Sequence, residues 1–224
     1  MPRRETPFMM DQYYHFYNRG NNRQTVFFER DNYLYFLKGV KKYICAHVDI
    51  LAYCLMPTHY HILGRIKPAS HQTSDPSETP SQTSDPNQTS EFFKNSEVSG
   101  SVSLAMQKFG ISYTKAINKR FNRSGSLFQG QFQAKPIRNY EHLLNLCIYI
   151  HANPVKDNLV ALPEDWEYSN YREWMNLREG FLVNREFITD NFGKSSEYKD
   201  LVMEFIKTRC LPEDLHKYLR ELEK

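Results

Sequence analysis

Two apolar runs joined by a proline turn, at residues 49–66, constrain the fold of this chain more than any other feature. The first run is DILAYCLM, Pro57 and Thr58 follow it, and HYHILGRI returns. Each run has the length of a strand, and the tight connection between them favours a β-hairpin. The sequence therefore predicts an antiparallel sheet, with His59 and His61 on the returning strand.

The segments on either side of the hairpin predict a mixed fold. Apolar periodicity and turn residues indicate two further strands, 12–18 and 128–137, and three helices, 31–47, 102–121 and 140–152. Asn139 is expected to cap the last helix, and Pro154 is expected to stop it. The order strand, helix, strand, strand, helix, strand, helix predicts a ferredoxin-like α+β fold, an antiparallel sheet with helices on one face.

Composition divides the chain into two parts. Residues 1–160 are predicted to form one domain, and 161–224 an aromatic loop with a C-terminal helical extension, whose clearest helices are 197–209 and 213–223. Residues 68–103 are rich in Ser, Thr, Pro, Gln and Asp, and contain the unit QTSDP twice. Because such a segment has little to bury, we expect a disordered insert within the first part.

The basic residues are unevenly distributed. The net charge is only +3, but Leu104 to Tyr140 contains seven Lys and Arg and no Asp or Glu. A long stretch of one sign suits the phosphate backbone of a nucleic acid, and the 30 Tyr and Phe residues include enough rings to stack on bases. A solvated basic helix face is the alternative.

The four cysteines form no CxxC pair, no signal peptide begins the sequence, and no apolar run reaches the roughly 18 residues of a membrane span. These features predict a reduced, soluble, cytosolic protein. Cys54 lies close to the two histidines, so a structural zinc site is a weaker alternative, without the usual finger spacing.

The histidine pair is a candidate metal site. Residues i and i+2 of a strand point to the same side, so His59 and His61 face together while Tyr60 and Ile62 face the core. Two neighbouring imidazoles can share one divalent ion, although they do not specify which. Two unrelated surface histidines are the alternative interpretation.

Tyr149 has an unusual position on the helix 140–152. The apolar stripe of that helix consists of Leu143, Leu144, Cys147 and Ile150. Tyr149 projects nearly opposite the centre of this stripe, on the polar face that also carries His142, Asn145 and Asn153. A tyrosine placed for packing would lie on the stripe, so the pattern marks Tyr149 as a candidate functional residue. A tyrosine of no special role is the alternative.

Four segments, in this order, resemble the REP-associated tyrosine transposases, which belong to the HUH superfamily of single-strand DNA transposases. They are YHFYNRGNNRQTVFF, AYCLMPTHYHIL, GSLFQGQFQAKPI and YIHANPVKDNLV. The resemblance extends over most of residues 12–175 outside the polar segment. Four positions depart from the family pattern, namely Thr58, Tyr60, Asp157 and Asn158.

The resemblance implies a metal-dependent endonuclease and strand transferase that acts on single-stranded or hairpin DNA. Its metal ligands would be His59 and His61, with Asn153 completing the site for Mg²⁺ or Mn²⁺. Tyr149 would be the nucleophile and would form a 5′-phosphotyrosine bond. The expected DNA-binding residues are Arg19, Arg23, Lys115, Lys119, Arg120, Arg123, Lys135 and Arg138.

The resemblance also implies a cytoplasmic, nucleoid-associated bacterial protein, acting as a monomer or a homodimer. The alternative function is a catalytically inactive nucleic-acid-binding regulator on the same fold. The sequence leaves open whether the tyrosine serves the histidines of its own chain or those of a partner.

Overall fold

The computed structural model describes residues 7–68 and 86–222, with side chains throughout the first range and from 95 to 220 in the second. Its centre is a four-stranded antiparallel sheet in the order β2-β3-β1-β4. The strands are β1 Tyr13–Arg19, β2 Val48–Met56, β3 His59–Ile66 and β4 Gln133–Ile137. The predicted hairpin is confirmed as β2 and β3, and the predicted antiparallel sheet with it.

The helices follow the predicted order. They are α1 Arg30–Gly39, continued by a π-helical turn Val40–Ile44, then α2 Pro86–Arg120, α3 Tyr140–Lys156, α4 Tyr171–Trp174, α5 Arg185–Phe192, α6 Ser195–Thr208 and α7 Glu213–Leu222. Asn139 caps α3 as expected, since its side chain accepts a hydrogen bond from the backbone N–H of His142. No helix within the described ranges is long and apolar enough to cross a membrane.

One face of the sheet carries the core predicted for a ferredoxin-like fold. Tyr14, Phe16, Tyr60 and Ile62 are buried on this face beneath α1 and α2. They alternate with the residues of the opposite face, as the pleat requires. Tyr60 and Ile62 therefore lie in the core, as predicted, and His59 and His61 lie on the other side.

The opposite face is partly covered by α3 and the C-terminal helices. Helix α3 lies between β2 and α6, and its residues form a second buried cluster with them. A buried hydrogen-bond network joins these layers: His151 Nδ1 lies 2.7 Å from the Tyr198 hydroxyl, and His151 Nε2 lies 2.9 Å from Asn170 Oδ1. Helices α1 and α2 lie on one face as predicted, whereas α3, the third helix of the predicted order, lies on the opposite face with the C-terminal helices.

Two helix boundaries differ from the sequence prediction. Pro154 does not stop α3, which continues to Lys156: the proline has no backbone donor of its own, but the Asp157 N–H still donates to the Asn153 carbonyl at 2.9 Å and closes the last turn. Helix α2 begins at Pro86 rather than near Val102, and Val98 and Val102 are both buried in the core cluster on the α1 side of the sheet. Part of the predicted disordered insert is thus helical, and residues 69–85 lie outside the described part of the chain.

Candidate active site

The two histidines of β3 line a cleft on the sheet face that α3 and the C-terminal helices partly cover. In the sheet register His59 lies opposite Arg19 and His61 opposite Tyr17, so these four side chains share one face. The cleft has a volume of about 610 Å³. Its lining residues are Tyr17, Asn18, Arg19, Arg23, Thr58, His59, Tyr60, His61, Gln129, Gln133, Tyr149, Lys156 and Asp157.

The loop after β1 is held against the hairpin turn, and this brings Arg23 to the cleft. The Gly20 N–H donates to the Thr58 carbonyl at 2.8 Å, and the Asn21 N–H donates to the Leu127 carbonyl at 3.0 Å. The chain turns so tightly that a Cβ at Gly20 would lie 2.0 Å from the Gln24 carbonyl oxygen. A glycine is therefore required at the point where the strand becomes the cleft wall.

Both imidazoles of the pair are oriented through Nδ1. The Thr58 hydroxyl lies 3.0 Å from His59 Nδ1, and His15 Nε2 lies 2.9 Å from His61 Nδ1. The two rings are 5.0 Å apart and nearly perpendicular. Histidines that bind metals characteristically hydrogen-bond through their other nitrogen, so the pair fits a divalent ion with Nε2 as the candidate ligand atom of each ring.

Burial favours the neutral form of His61 and of His15 behind it. The pKa of His61 lies well below its usual value because the ring is desolvated, and the neighbouring His15 and His59 reinforce the shift. The pKa of His15 is lowered to about 3 by burial and by the positive potential of His142 and Lys135. Neutral imidazole is the form that coordinates metals, so the environment suits that role at neutral pH.

The protein supplies few other ligands. Within the described residues, no group of three or more His, Cys, Asp and Glu is arranged to hold a metal ion. Asn153, the expected third ligand, is only 1% exposed and does not line the cleft, whereas Asp157 one turn later does.

Cys54 lies opposite His61 in the sheet register but is completely buried, and its Sγ lies 3.6 Å from Met56 Sδ. Burial raises the pKa of this thiol well above its usual value, so the metal-binding thiolate is disfavoured. The geometry does not favour the zinc alternative.

Tyr149 lies at the cleft beside His61 of the same chain. The two rings meet edge to face with their centroids 6.2 Å apart. The side chain is only 5% exposed, because α6 covers the helix face that the sequence pattern assigned to solvent, with the Phe205 ring 6.3 Å from that of Tyr149. The phenol is thus held in a preformed position instead of being freely exposed.

Lys156 directly contacts the phenol. Its Nζ donates a hydrogen bond to the Tyr149 hydroxyl at 3.0 Å and lies 4.9 Å from the ring centroid. Asp157 Oδ1 lies 3.6 Å from the same Nζ. Because α3 continues past Pro154, Lys156 stands seven residues after Tyr149, two turns along the same helix face. A cation at this position stabilises negative charge on the phenolic oxygen.

The expected DNA-binding residues fall into separate groups. Arg19 and Arg23 line the cleft, and Lys135 lies on the same sheet face with its Nζ 5.0 Å from the Tyr218 ring centroid. The other basic residues do not line it: Lys115, Lys119 and Arg120 are on α2 across the sheet, Arg123 is in the loop after α2, and Arg138 follows β4.

Two of these residues have protein partners. Arg120 pairs with Glu29 at 3.0 Å, and Arg123 Nη2 donates to Gln24 Oε1 at 2.8 Å. The one-signed stretch of sequence therefore does not form one surface around the histidines.

Sequence reasoning missed several residues that the fold brings to the site. Lys156 could have been found from its spacing to Tyr149 if Pro154 had not been interpreted as the end of the helix. His15 alternates with Tyr17 and Arg19 on β1, but its contact with His61 depends on how two strands distant in sequence pair. No local signal predicts that contact.

Comparisons with known proteins find matches among solved structures, at low identity. No family model and no curated protein matches the chain. Among solved structures, a REP-associated tyrosine transposase bound to a REP hairpin is 16% identical with a TM-score of 0.47, covering 82% of this chain and 94% of that one.

Two structures of a bacterial tRNA(His) guanylyltransferase (Thg1)-like protein also match. The complex with GTP is 10% identical with a TM-score of 0.35, covering 68% of this chain and 70% of the other. The complex with ATP is 9% identical with a TM-score of 0.35, covering 78% and 72%. None of these likenesses shows what the chain does.

Proposed function

We propose that this protein is a metal-dependent single-strand DNA endonuclease and strand transferase, with Tyr149 as its nucleophile and a hairpin-forming strand as its substrate. The proposal rests on one observation. A single cleft of one chain holds the Tyr149 phenol, the Lys156 ammonium hydrogen-bonded to its oxygen, and two imidazoles that are each oriented through Nδ1. The family-like order of sequence motifs supports the same reaction.

The reaction is a phosphoryl transfer. The Tyr149 oxygen attacks the phosphorus of a backbone phosphodiester, the bond to the 3′ oxygen breaks, and the DNA 5′ end remains on the tyrosine. The phenol loses one proton and the departing 3′ oxygen gains one, so the step balances without a co-reactant. Because the new phosphodiester retains the bond energy, a 3′-hydroxyl can reverse the step and join strands.

His59 and His61 would hold Mg²⁺ or Mn²⁺, which withdraws charge from the phosphate and orients it for in-line attack. Lys156 has a distinct role, since a phenol ionises near pH ~10 and needs help to act at neutral pH. The Lys156 ammonium stabilises the charge that develops as the phenol loses its proton. Arg19 and Arg23 hold the flanking phosphates at the cleft wall.

Labelled DNA tests both the reaction and its polarity. The substrate is a pool of single-stranded oligonucleotides with a fixed hairpin stem and randomised flanks, incubated with the protein and Mn²⁺. With the label at the 3′ end, we expect a protein-linked band on a denaturing gel. With the label at the 5′ end, we expect only a shortened free strand that ends in a 3′-hydroxyl.

Matched variants assign the nucleophile. Tyr149→Phe should abolish the adduct, while Tyr140→Phe, at a 58% exposed tyrosine of the same helix, should leave it intact. Equal adduct from Tyr149→Phe would refute the assignment. Salt-sensitive binding of the pool without any adduct would instead indicate the alternative, a nucleic-acid-binding regulator.

A further inference from the structure

Three side chains, those of Tyr218, His15 and His61, form a hydrogen-bonded relay that ends at the histidine pair. The Tyr218 hydroxyl of α7 lies 2.9 Å from His15 Nδ1, and His15 Nε2 lies 2.9 Å from His61 Nδ1. The two imidazoles stack with centroids 5.0 Å apart and an angle of 24° between their planes. These contacts join β3, β1 and the C-terminal helix, elements that are far apart in sequence.

The relay is enclosed by protein. His15 is completely buried and His61 is 7% exposed. Tyr218 is fixed from two sides: its ring meets the His142 ring edge to face at 4.7 Å, and Lys135 Nζ lies 5.0 Å from its centroid. A buried polar group without a hydrogen bond carries a large desolvation penalty. Each ring nitrogen of His15 therefore depends on its one neighbour in this relay.

The relay has only two consistent hydrogen-bond directions, because a neutral imidazole has one N–H and one acceptor nitrogen. In the first direction, His61 donates from Nδ1 to His15, which donates from its own Nδ1 to the Tyr218 oxygen. In the second, Tyr218 donates to His15 and His15 donates to His61, which leaves the proton of His61 on Nε2. Only the first direction gives His61 a lone pair on Nε2 for a metal.

We propose that His15 and Tyr218 are positioning residues for the metal site, which hold His61 in the tautomer and orientation that coordinate a divalent ion through Nε2. The inference rests on the proposed function in that His59 and His61 are taken as metal ligands. It assigns a role to α7, because the C-terminal helical extension then supplies the outermost member of the metal site.

Mn²⁺ binding measures this role without any DNA reaction. Full-length protein is titrated with Mn²⁺, and free ion is followed by electron paramagnetic resonance. Tyr218→Phe removes one hydroxyl and keeps the ring on its neighbours; we expect Mn²⁺ affinity to fall roughly ten-fold. His15→Phe should weaken binding at least as much, while His15→Gln, whose amide oxygen can accept from His61, should retain more affinity.

Controls separate this role from folding. Tyr171→Phe is the control for Tyr218→Phe, since it also removes one hydroxyl, and the Tyr171 hydroxyl is buried without a hydrogen-bond partner within the described residues. It should leave Mn²⁺ affinity unchanged. Thermal unfolding of each variant without metal identifies those that remain folded at the temperature of the titration.

The outcomes distinguish the inference from the proposed function. Weak Mn²⁺ binding in His61→Ala together with wild-type affinity in folded Tyr218→Phe and His15→Phe would overturn the positioning role alone. Wild-type affinity in His61→Ala as well would overturn both the metal site and the inference. The expected result is weakened Mn²⁺ binding in His61→Ala, Tyr218→Phe and His15→Phe, and wild-type Mn²⁺ affinity in Tyr171→Phe.

Discussion

Lys156 donates a hydrogen bond to the phenolic oxygen of Tyr149 at 3.0 Å, and both residues lie on α3. One rigid helix therefore fixes the distance between the candidate nucleophile and the cation that stabilises its charge. The Tyr149 and His61 rings meet edge to face, with their centroids 6.2 Å apart. The phenol is thus placed relative to both groups before any DNA arrives, which lowers the entropy cost of reaching the reactive geometry.

Replacing Lys156 tests this arrangement. Lys156→Met keeps most of the apolar length of the side chain but removes the donor, and we expect the rate of adduct formation to fall about 100-fold, the typical cost of losing one preorganised donor. Single-turnover kinetics with saturating hairpin DNA measure the rate. Lys156→Arg should retain a larger fraction of activity. A Lys156→Met rate within two-fold of wild type would exclude this role.

A partly buried ion pair holds the aromatic loop that follows α3. Arg178 makes two hydrogen bonds to the nearly buried Glu173 carboxylate, at 2.8 and 3.1 Å, and two more to the carbonyls of Glu167 and Ser169, both at 2.8 Å. Arg178→Met leaves that carboxylate buried without its cation. We expect the free energy of unfolding to fall by about 3 kcal/mol in urea titrations.

The control for this ion pair also removes the Glu173 carboxylate that Arg178→Met leaves unpaired. Glu173→Gln combined with Arg178→Met should lose less stability than Arg178→Met alone, because the penalty comes mainly from the unpaired carboxylate. Equal or greater loss in the double variant would show that the arginine contributes through its carbonyl contacts.

The fold could be predicted from the sequence because its main signals are local. The hairpin follows from two short apolar runs around Pro57 and Thr58, and the order of elements then restricts the topology. The start of α2 at Pro86 could not be predicted in this way. Its first turns are polar by composition, and a helix there depends on buried contacts such as those of Val98 and Val102.

The site was predictable only where it depends on one element. His59 and His61 share a strand, and Tyr149 stands out on its own helix. The coverage of Tyr149 by α6, the contact of His15 with His61 and the remoteness of the α2 lysines are all consequences of long-range packing. A pattern of charges along the sequence, as between Leu104 and Tyr140, does not state which side of a sheet each charge occupies.

Acid should destabilise the protein through His151. Burial lowers the pKa of His151 to about 4, partly offset by its hydrogen bond to Asn170. Above pH ~6.5 the ring is neutral in both the folded and unfolded states; as the pH falls from there to about 4, only the unfolded state takes up the proton. The contribution of this residue to stability should fall by about 3 kcal/mol over that range.

Urea unfolding at a series of pH values measures this loss. His151→Asn should show a shallower decline of stability between pH 6.5 and 4 than the wild type, although it is less stable at neutral pH. His216→Asn, at an exposed histidine of α7, should keep the wild-type slope. An unchanged slope in His151→Asn would mean that the ring already titrates normally in the folded protein.

Salt dependence locates the DNA-binding surface. If DNA follows the cleft, Arg19→Gln with Arg23→Gln should weaken binding of the hairpin pool and reduce the slope of log K against log salt by about 0.7 for each lost phosphate contact to a single strand. Lys115→Gln with Lys119→Gln removes the same charge from α2, across the sheet, and should change neither quantity. Fluorescence anisotropy from low to moderate salt measures both. A larger loss from the α2 pair would move the DNA path to that face and separate binding from the cleft that holds Tyr149.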